Sequence, residues 1–203
     1  MKLLVATGNR HKFSEISAIL KSTRLVMISL REWGDVPQVV EDGDTFEVNA
    51  IKKAVTLARF SGLWTLADDS GLEVEALGGE PGVVSARYAG EPSNDAANND
   101  KLLRKMRGVV DRSARFRCVI ALSDPNGVTR TVSGTCEGTL RNQLQGEGGF
   151  GYDPLFVPCG HDLTFAEISA DIKNGLSHRA MALARAVQEW GGILASEPGR
   201  WPD

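Results

Sequence analysis

The stretch from Leu3 to Leu30 reads LLVATGNRHKFSEISAILKSTRLVMISL and contains two short apolar runs with a helical segment between them. The first run ends at Thr7, after which apolar residues recur at the spacing of one helix face, at Phe13, Ile16 and Leu20. A strand, a helix and a second strand at this distance form a βαβ unit, in which the helix joins parallel strands. The stretch therefore predicts an α/β fold.

Composition narrows the class of protein. The 203 residues include 23 Lys and Arg against 26 Asp and Glu, a formal net charge of -3 at pH 7. Because the chain has no global positive charge, we expect neither nucleic acid nor a membrane as a partner.

Three cysteines at distant positions fit a disulfide framework poorly. No apolar run reaches the roughly 18 residues of a membrane span, and the first residues turn polar too soon for a signal peptide. We therefore expect one cytoplasmic domain over residues 1–203.

Two further helices are predicted before the middle of the chain. Asp44 lies three residues before Glu47, a pattern like a capping box, and this predicts a helix that ends at Gly62. Polarity and apolar spacing predict an exposed helix from Asn94 to Met106.

The second half of the chain alternates between apolar and polar residues. This alternation predicts a long antiparallel hairpin over residues 114–140, with its turn at Pro125 to Gly127. Ser177 is expected to open a last helix, and residues from about 195 to 203 are expected to form a tail. The apolar residues on one face of that helix are Met181, Ala184 and Val187.

Two adjacent carboxylates, Asp68 and Asp69, follow an apolar run in WTLADDSGLEV, residues 64–74, where a strand is expected to end. In extended backbone, neighbouring side chains point to opposite faces, so one of the two is expected to face a site. Carboxylates at a buried strand are costly without a cation or hydrogen-bond donors, which favours a metal or catalytic role. The alternative is a pair of turn acids that cap backbone N–H groups.

A second acidic pair, Glu41 and Asp42, lies before the helix predicted to start near Asp44. These acids could add an oxygen ligand for Mg²⁺, a hard ion that takes a few carboxylates together with substrate phosphates. The alternative interpretation is a capping role, which is common for acids before helices.

Three stretches carry groups suited to a phosphate or a flat ring. The turn TGNRHK, Thr7 to Lys12, lies between a strand and a helix, where N–H groups and the helix dipole favour a phosphate; a plain turn is the alternative. In GGFGYDP, residues 148–154, Phe150 and Tyr152 could stack on a ring or simply be core aromatics. The third stretch places three cations near the last helix, which are either ligand-binding or merely exposed: Lys173, His178 and Arg179.

Taken together, these stretches match one class of ligand. Acidic patches suit a metal, cations suit phosphates, and an aromatic loop suits a base. The combination predicts a site for a magnesium-bound nucleoside triphosphate.

The same stretches, in the same order, resemble the inosine triphosphate pyrophosphatase family, also called the Ham1-like family of non-canonical purine nucleoside triphosphate pyrophosphatases. The resemblance runs from Lys2 to about Trp190. It is carried by ATGNRHKFSEI, VVEDGDTFEVNAIKKA, ADDSGLEVEALGGEPGVVSARYAG, GEGGFGYDPLFVP with TFAEI, and SHRAMAL. Several motifs in register over most of the chain make the resemblance specific.

The resemblance implies a fold, an activity and an assembly. The fold is an elongated, two-lobed α/β fold around a long, mixed and highly twisted β-sheet flanked by helices, with the substrate in the cleft between the lobes. The activity is hydrolysis of ITP, dITP and XTP to the monophosphate and pyrophosphate, which cleanses the nucleotide pool. The family relationship also implies Mg²⁺ as cofactor and a homodimer.

The resemblance also assigns residues, motif by motif. Asp69 is the expected general base, Glu41 and Asp69 are the expected metal ligands, and Lys53 is expected to help bind phosphates. The other expected substrate-binding residues are Thr7, Gly8, Asn9, Arg10, His11, Lys12, Ser70, Phe150, Gly151, Tyr152, Asp153, Lys173, His178 and Arg179.

One position departs from the family pattern, and two other functions compete. Val48 stands where the family usually has Glu, so any contact of that side chain is missing or moved; Glu47 could substitute, although it leaves the helix about 100° away. The sequence DDSG resembles the signature of aspartic proteases, but those enzymes need two copies and this chain has one. A nucleotide-binding regulator without turnover is the second alternative, and the presence of both acids argues against it.

Overall fold

A computed structural model describes residues 1–195, so the predicted tail lies outside the described part of the chain. Within that part, one sheet has the strand order β2-β1-β3-β4-β5-β6. Its strands are Lys2–Val5 (β1), Val26–Ser29 (β2), Trp64–Val74 (β3), Ser113–Ser123 (β4), Thr129–Leu140 (β5) and Phe156–Pro158 (β6). β1 pairs in parallel with both β2 and β3, whereas β5 and β6 are antiparallel. The sheet is therefore mixed, and the α/β prediction is confirmed.

Within residues 1–195, four helices lie between these strands in the sequence, and two more follow β6. They are Arg10–Ile19 (α1), Leu30–Trp33 (α2), Phe46–Ser61 (α3), Asp95–Lys105 (α4), Ala170–Leu176 (α5) and His178–Ala195 (α6). Short 3-10 turns follow β3, at Glu75–Leu77 and Gly82–Arg87. Among the described residues, no helix has both the length and the apolar character needed to cross a membrane.

The predicted βαβ unit is confirmed. β1 and β2 are parallel neighbours joined through α1, with Leu3 opposite Met27. Ile16 and Leu20 of the predicted helix face are fully buried, and Phe13 packs against the same core. The helical spacing read from the sequence therefore identified the buried face of α1.

The start of α3 lies one residue later than the sequence pattern predicts. Thr45, rather than Asp44, is the N-cap, and its hydroxyl oxygen accepts a hydrogen bond from the Val48 N–H at 3.2 Å. The helix ends as predicted at Gly62, whose φ of 68° is left-handed and suits glycine. The prediction differed by one residue because Asp44 and Thr45 are both good N-cap residues. The spacing of the apolar residues does not determine which of two adjacent residues is the cap.

β3 is longer than the sequence indicated, so its two acids lie inside the strand rather than at its end. The pairing of β1 with β3 stops at Val5 opposite Leu66, and Ala6 donates its N–H to the Leu66 carbonyl at 2.7 Å. Asp68 and Asp69 therefore begin where the parallel partner ends, at the carboxyl end of β1. In open α/β sheets this edge is where ligands bind.

The hairpin is confirmed by its backbone bonds. The Asp124 N–H donates to the Val128 carbonyl at 3.0 Å across the turn, and the Leu140 N–H donates to Arg112 at 2.9 Å at the far end. Both pairs have the same residue sum, as antiparallel register requires.

The described chain divides into two compact units. The first contains Met1–Asp69, Cys118–Gly134 and the residues from Arg179 onward; the second contains Ser70–Arg117 and Thr135–His178. Each has its own apolar core. The first core is formed by residues such as Leu3, Ile16, Leu66, Ile120, Leu183 and Trp190, and the second by Leu72, Leu102, Phe116, Leu155, Phe156 and Phe165.

The apolar face read from the last helix is its exposed side. Met181 and Val187 are about two-fifths exposed, and Ala184 is also exposed. The buried side carries Ala182, Leu183, Ala186 and Trp190. Both stripes are apolar in sequence, so periodicity alone could not identify the one that packs.

All three cysteines lie within the described residues and are free thiols. Cys118 and Cys136 are buried, whereas Cys159 is exposed. No disulfide links them, as the spacing in the sequence led us to expect.

Candidate active site

The loop Thr7–Lys12 follows β1 and leads into α1. Asn9 is the N-cap of α1: its side-chain oxygen accepts hydrogen bonds from the N–H groups of His11 at 2.8 Å and Lys12 at 3.2 Å. Those two N–H groups, expected from the sequence to face a phosphate, are thus already bonded. The cationic side chains of this loop are therefore better placed than these two N–H groups to bind an anion.

Asp68 lies at the centre of a buried ionic cluster. Its Oδ1 lies 3.1 Å from Lys12 Nζ, and its Oδ2 accepts hydrogen bonds from Arg179 Nε at 3.2 Å and Nη2 at 2.9 Å. Arg179 also pairs with Glu15, and the Cys118 thiol lies 3.7 Å from Asp68 Oδ2. Burial acts to raise the pKa of Asp68, but Lys12 and Arg179 outweigh it and hold that pKa well below its usual range. Asp68 is therefore a permanent anion that orients two cations.

Asp69 points to a different set of partners. Lys53 Nζ lies 3.2 Å from Asp69 Oδ1 and 2.6 Å from Glu41 Oε2, while Asn49 Nδ2 donates to Asp69 Oδ2 at 3.2 Å. Asn49 is itself held by the Gly43 N–H, which donates to its Oδ1 at 2.8 Å. The side-chain alternation expected along a strand thus separates the partners of the two acids.

Asp69 has the less acidic carboxyl group of the two. Burial raises the pKa of Asp69 to about 6, and the neighbouring Glu41 adds to this rise through charge and a hydrogen bond, against the opposing effect of Lys53 and Lys12. Burial also acts to raise the pKa of Glu41, but Lys53 outweighs it and lowers that pKa. A proton shared by the two carboxylates therefore resides mainly on Asp69. A pKa near 6 suits a group that must accept a proton near neutral pH.

The carboxylates of Glu41 and Asp69 fit a divalent cation of the magnesium type. Both are oxygen donors, and both lie within 3.2 Å of the single ammonium group of Lys53, so one small cation can be shared between them. Among the described residues, no group of three or more His, Cys, Asp and Glu side chains suits a metal ion. Two carboxylates are nevertheless enough for Mg²⁺ when substrate phosphates complete its coordination.

The glycine-rich loop is ordered by a buried ion pair in the second unit. Asp153 Oδ2 accepts the Phe150 N–H at 2.9 Å and Lys173 Nζ at 2.5 Å. The ammonium group of Lys173 also lies 4.9 Å from the centre of the Phe150 ring. Tyr152 is buried and donates its hydroxyl to the Ser85 carbonyl at 2.9 Å, which agrees with the core-aromatic alternative for this residue. Phe150 is half-buried and is the better placed of the two rings to meet a ligand.

His178 belongs to an aromatic group in the same unit. Its ring is stacked on Phe116 with centroids 4.7 Å apart and planes 12° apart. Phe116 in turn contacts Phe156 and Phe165. The imidazole is therefore held in a fixed plane against an aromatic ring, so the directions of its two nitrogen atoms are also fixed.

The predicted site residues fall into two groups. The first unit holds Thr7, Gly8, Asn9, Arg10, His11, Lys12, Glu41, Lys53, Asp69 and Arg179; the second holds Ser70, Phe150, Gly151, Tyr152, Asp153, Lys173 and His178. Arg179 is 1% exposed and engaged with Asp68 and Glu15, so in this structure it faces anionic side chains of the first unit.

Sequence reasoning gave no role to Asn49 or Glu15. Asn49 and Lys53 are four residues apart on the buried face of α3, and two buried polar side chains at that spacing are a signal that could have identified Asn49. Glu15 carried no such signal, because its partner Arg179 is 164 residues away in the sequence.

Comparison with known proteins bears on this site. The family model described as the Ham1 family matches residues 3–189. A dITP/XTP pyrophosphatase of Desulforamulus reducens is 52% identical over 190 residues, covering 93% of this chain and 94% of the relative. A protein of the same name from Geobacter sulfurreducens is 49% identical over 196 residues, covering 95% and 98%. A solved HAM1 protein from Coxiella burnetii superimposes with a TM-score of 0.86 at 38% identity, covering 95% of this chain and 99% of that one.

Proposed function

Because the chain belongs to the Ham1 family, we propose that it is a nucleoside triphosphate pyrophosphohydrolase that acts on ITP, dITP and XTP. The products are the nucleoside monophosphate and pyrophosphate, so the enzyme removes non-canonical purines from the nucleotide pool. The observation that carries the proposal is Asp69, whose pKa of about 6 is set beside Glu41, Lys53 and Asn49. The name dITP/XTP pyrophosphatase, carried by relatives about half identical to this chain, supports the same activity.

The proposed chemistry is one displacement at the α-phosphorus. The oxygen of water forms a bond to the α-phosphorus, and the bond to the oxygen that bridges the α- and β-phosphorus breaks. The proton of the water passes to an oxygen of Asp69, and pyrophosphate leaves with the bonding electron pair. Asp69 is suited to this transfer because both its oxygens are oriented, one by Lys53 and one by Asn49, while each keeps a further lone pair.

The leaving group carries growing negative charge, and the cations of the first unit can stabilise it. Lys12 is held by the permanent anion Asp68, so its ammonium group is positioned before a phosphate arrives. Lys53, between Glu41 and Asp69, is the second such cation. We assign phosphate binding to these two lysines together with the loop residues Thr7, Gly8, Asn9, Arg10 and His11.

Glu41 and Asp69 are the residues that would hold Mg²⁺. A bound magnesium ion would supply charge neutralisation for the phosphates and a lower pKa for a coordinated water. Lys53 would remain beside both carboxylates and limit their mutual repulsion.

The proposal gives recognition of the base to Phe150, Lys173 and His178. Phe150 offers a ring face, and Lys173 and His178 offer donors to a 6-oxo group. An adenine amine placed against such donors would leave a buried polar group unpaired, which costs about 1 to 3 kcal/mol, or roughly tenfold to hundredfold in selectivity. The grouping of these residues within one unit supports the assignment.

The assembly and the cellular location form a further part of the proposal. We assign a homodimer and a cytoplasmic location, on the grounds of the family and of an acidic chain with free thiols. Sedimentation equilibrium should give twice the chain mass; a mass of 21.9 kDa at micromolar concentration would contradict the dimer.

A nucleotide panel tests the activity. ITP, dITP, XTP, GTP and ATP are each incubated with the enzyme and Mg²⁺, and the monophosphate, pyrophosphate and inorganic phosphate are measured separately. We expect equal amounts of monophosphate and pyrophosphate, with the first three nucleotides hydrolysed fastest, and loss of turnover in excess chelator. Release of a diphosphate and inorganic phosphate would place the cleavage elsewhere, and saturable binding without turnover would favour the regulator.

A further inference from the structure

Gly151, in the middle of the glycine-rich loop, is bonded by α4 through both of its backbone polar groups. Its N–H donates to Asp95 Oδ2 at 2.7 Å, and its carbonyl accepts from Asn99 Nδ2 at 2.8 Å. Asp95 and Asn99 are four residues apart, so they lie on the same face of α4. We call these two side chains the Gly151 clamp.

The start of α4 places the clamp. Asn94 is the N-cap and accepts the Ala97 N–H at 3.0 Å, which sets Asp95 as the first residue of the helix. Asn99 follows one turn later and is 4% exposed. Asp95 is exposed at its outer end, so the clamp has one buried and one accessible member.

Asn99 occupies its position at a cost to the fold. Its Oδ1 is buried and has no hydrogen-bond partner among the described residues. Turning the amide over would set Oδ1 against the Gly151 carbonyl, so that two acceptors would meet. A buried acceptor left without a partner is unfavourable and calls for an explanation, which the bond from Nδ2 to Gly151 supplies.

The clamp acts on the neighbour of Gly151. Gly151 has a left-handed φ of 61°, and Phe150 directly before it donates its N–H to Asp153. Hydrogen bonds therefore fix the loop at two positions. Asp95 and Asn99 of α4 bind the backbone of Gly151, and Asp153, which pairs with Lys173, binds the backbone of Phe150. Together these hydrogen bonds hold the Phe150 ring beside the Lys173 ammonium group.

We propose that Asp95 and Asn99 are positioning residues that determine base selectivity by holding Phe150 and Lys173 in the geometry that accepts a 6-oxopurine. This inference rests on the proposed function, since it takes Phe150 and Lys173 as the groups that meet the base. The clamp acts on binding of the base rather than on the proton transfer at Asp69.

Two adjacent asparagines provide a matched test. Asn98 is also buried in α4, but its Nδ2 donates to the Ala86 carbonyl at 2.9 Å and its Oδ1 accepts the Ala89 N–H at 2.7 Å, away from the loop. In Asn99→Asp and in Asn98→Asp, an amide donor that faces a carbonyl becomes a carboxylate oxygen. Both variants lose one such bond and gain one charge near Asp95. Asn98→Asp keeps the Ala89 N–H as a donor to the new carboxylate, whereas Asn99→Asp leaves its carboxylate without a donor from the described residues, so Asn99→Asp should lower the melting temperature more. Kinetics of both are therefore measured below the melting temperature of each variant.

The two variants should nevertheless differ in kinetics. We expect Asn99→Asp to raise KM for ITP about three- to tenfold, which corresponds to the net free energy of one hydrogen bond. Its kcat should stay within about twofold of the wild-type value. The ratio of kcat/KM for ITP over ATP should fall by a similar factor. Asn98→Asp should lower the melting temperature and leave both KM and this ratio unchanged. Equal kinetic effects in the two variants, or a fall in kcat without a change in selectivity, would overturn the proposal.

Two further variants separate the possible failures. Asp95→Ala removes the exposed half of the clamp and should lower the ITP-over-ATP ratio in the same direction, which keeps the test decisive if Asn99→Asp does not fold. Phe150→Ala should raise KM for ITP. If it does so while both clamp variants keep wild-type selectivity, the clamp is excluded and the base-binding role of Phe150 stands. If Phe150→Ala has a wild-type KM, the base-binding assignment and the clamp both fail, although hydrolysis of ITP by the wild type would remain.

Discussion

Asp68 and Asp69 are consecutive residues of one strand, yet they have opposite electrostatic properties. Asp68 lies against Lys12 and Arg179 and has a pKa far below that of an ordinary carboxyl group. Asp69 lies beside Glu41, with Lys53 shared between them, and has a pKa of about 6. Since the two residues are covalently the same, the difference comes entirely from what the two faces of β3 contact.

One strand therefore carries a structural residue, Asp68, next to the proposed catalytic residue, Asp69. Asp68 contacts two cations, of which Arg179 also pairs with Glu15, and remains a fixed anion. Asp69 shares one cation, Lys53, with a second carboxylate and can exchange a proton. The first arrangement orients Lys12; the second provides the proposed base.

Replacing the proposed base should abolish most of the turnover. In Asp69→Asn the shape and the contact with Asn49 are largely preserved, but the proton acceptor is lost, so kcat for ITP should fall by about 10² to 10⁴. Steady-state kinetics with ITP would measure this, with circular dichroism to verify folding. Near-normal turnover in a folded variant would remove Asp69 from the role of base.

Neutralising the other acid should act on stability. Asp68→Asn leaves Arg179 and Lys12 without the carboxylate that compensates them, and the free energy of unfolding at pH 7 should fall by about 3 kcal/mol. Urea denaturation would measure the loss. The matched control is Asp42→Asn, which breaks the exposed pair with Lys52 and should cause no measurable change. A stable Asp68→Asn variant would contradict the role of Asp68 as a fixed anion.

The stability effect of Asp69→Asn should have the opposite sign. Because the pKa of Asp69 is about 6 in the folded chain and 3.8 without the fold, the folded state binds more protons between these values, and its stability falls as pH rises through that window. Removing this titration should raise the free energy of unfolding at pH 7 by up to about 3 kcal/mol, which is the free-energy equivalent of the difference between these two pKa values. Denaturation between pH 4 and pH 7.5, in metal-free buffer with EDTA, would measure it.

Asp68→Asn provides the contrasting pH dependence. The lowered pKa of Asp68 contributes stability that is present above the unfolded value and is lost as pH falls towards the folded one. The gap between wild type and Asp68→Asn should therefore shrink in acid, whereas the gap for Asp69→Asn should shrink between pH 6 and pH 4. Parallel curves for the two variants would contradict the comparison.

The smallest expected effect concerns α3, the helix that supplies the neighbours of Asp69. Val48 is half exposed at the third helical position, and its N–H already donates to Thr45. Val48→Glu would complete a capping box and place an acid in the first turn, which should stabilise the fold by about 0.5 kcal/mol.

Calorimetry would detect this change as a rise of about 1 to 2 °C in melting temperature. The pH at which kcat is half-maximal should stay unchanged, because the new carboxylate is on the exposed side of α3. Val48→Gln is the control for the uncharged part of the capping box. A shifted pH profile would mean that this position affects Asp69 electrostatically. The carboxylate of Glu47, the residue before Val48, accepts a hydrogen bond from the Thr131 hydroxyl at 2.6 Å.

Local patterns predicted much of the fold. The βαβ unit, the long α3 and the hairpin were readable because each shows its own period over ten or more residues. The four residues of α2 and the seven of α5 were not predicted, since they are too short to show a helical period. The buried side of α6 was missed because two apolar stripes compete there, and packing in the folded chain decides between them.

The site was predicted in its residue types but not in its pairings. Alternation along a strand indicated that Asp68 and Asp69 would face different surroundings, and the motifs drew attention to Lys12, Lys53 and Glu41. The pairing of Asp68 with Arg179 could not be predicted from local sequence, because the two residues are 111 positions apart. Such contacts depend on how distant segments of the chain pack. The Gly151 clamp was missed for the same reason, since Asn99 and Gly151 are 52 residues apart.

The three free cysteines also differ in what they offer to the experimenter. Burial raises the pKa of Cys136 to about 12 and raises that of Cys118 still further beyond its ordinary value, so neither forms a thiolate readily at neutral pH. Cys159 is exposed just after β6. A maleimide dye should therefore attach to the native chain at this single position, giving a homogeneous fluorescent label without engineering. Intact-mass spectrometry would find one adduct per chain, and ITP hydrolysis should be unaffected.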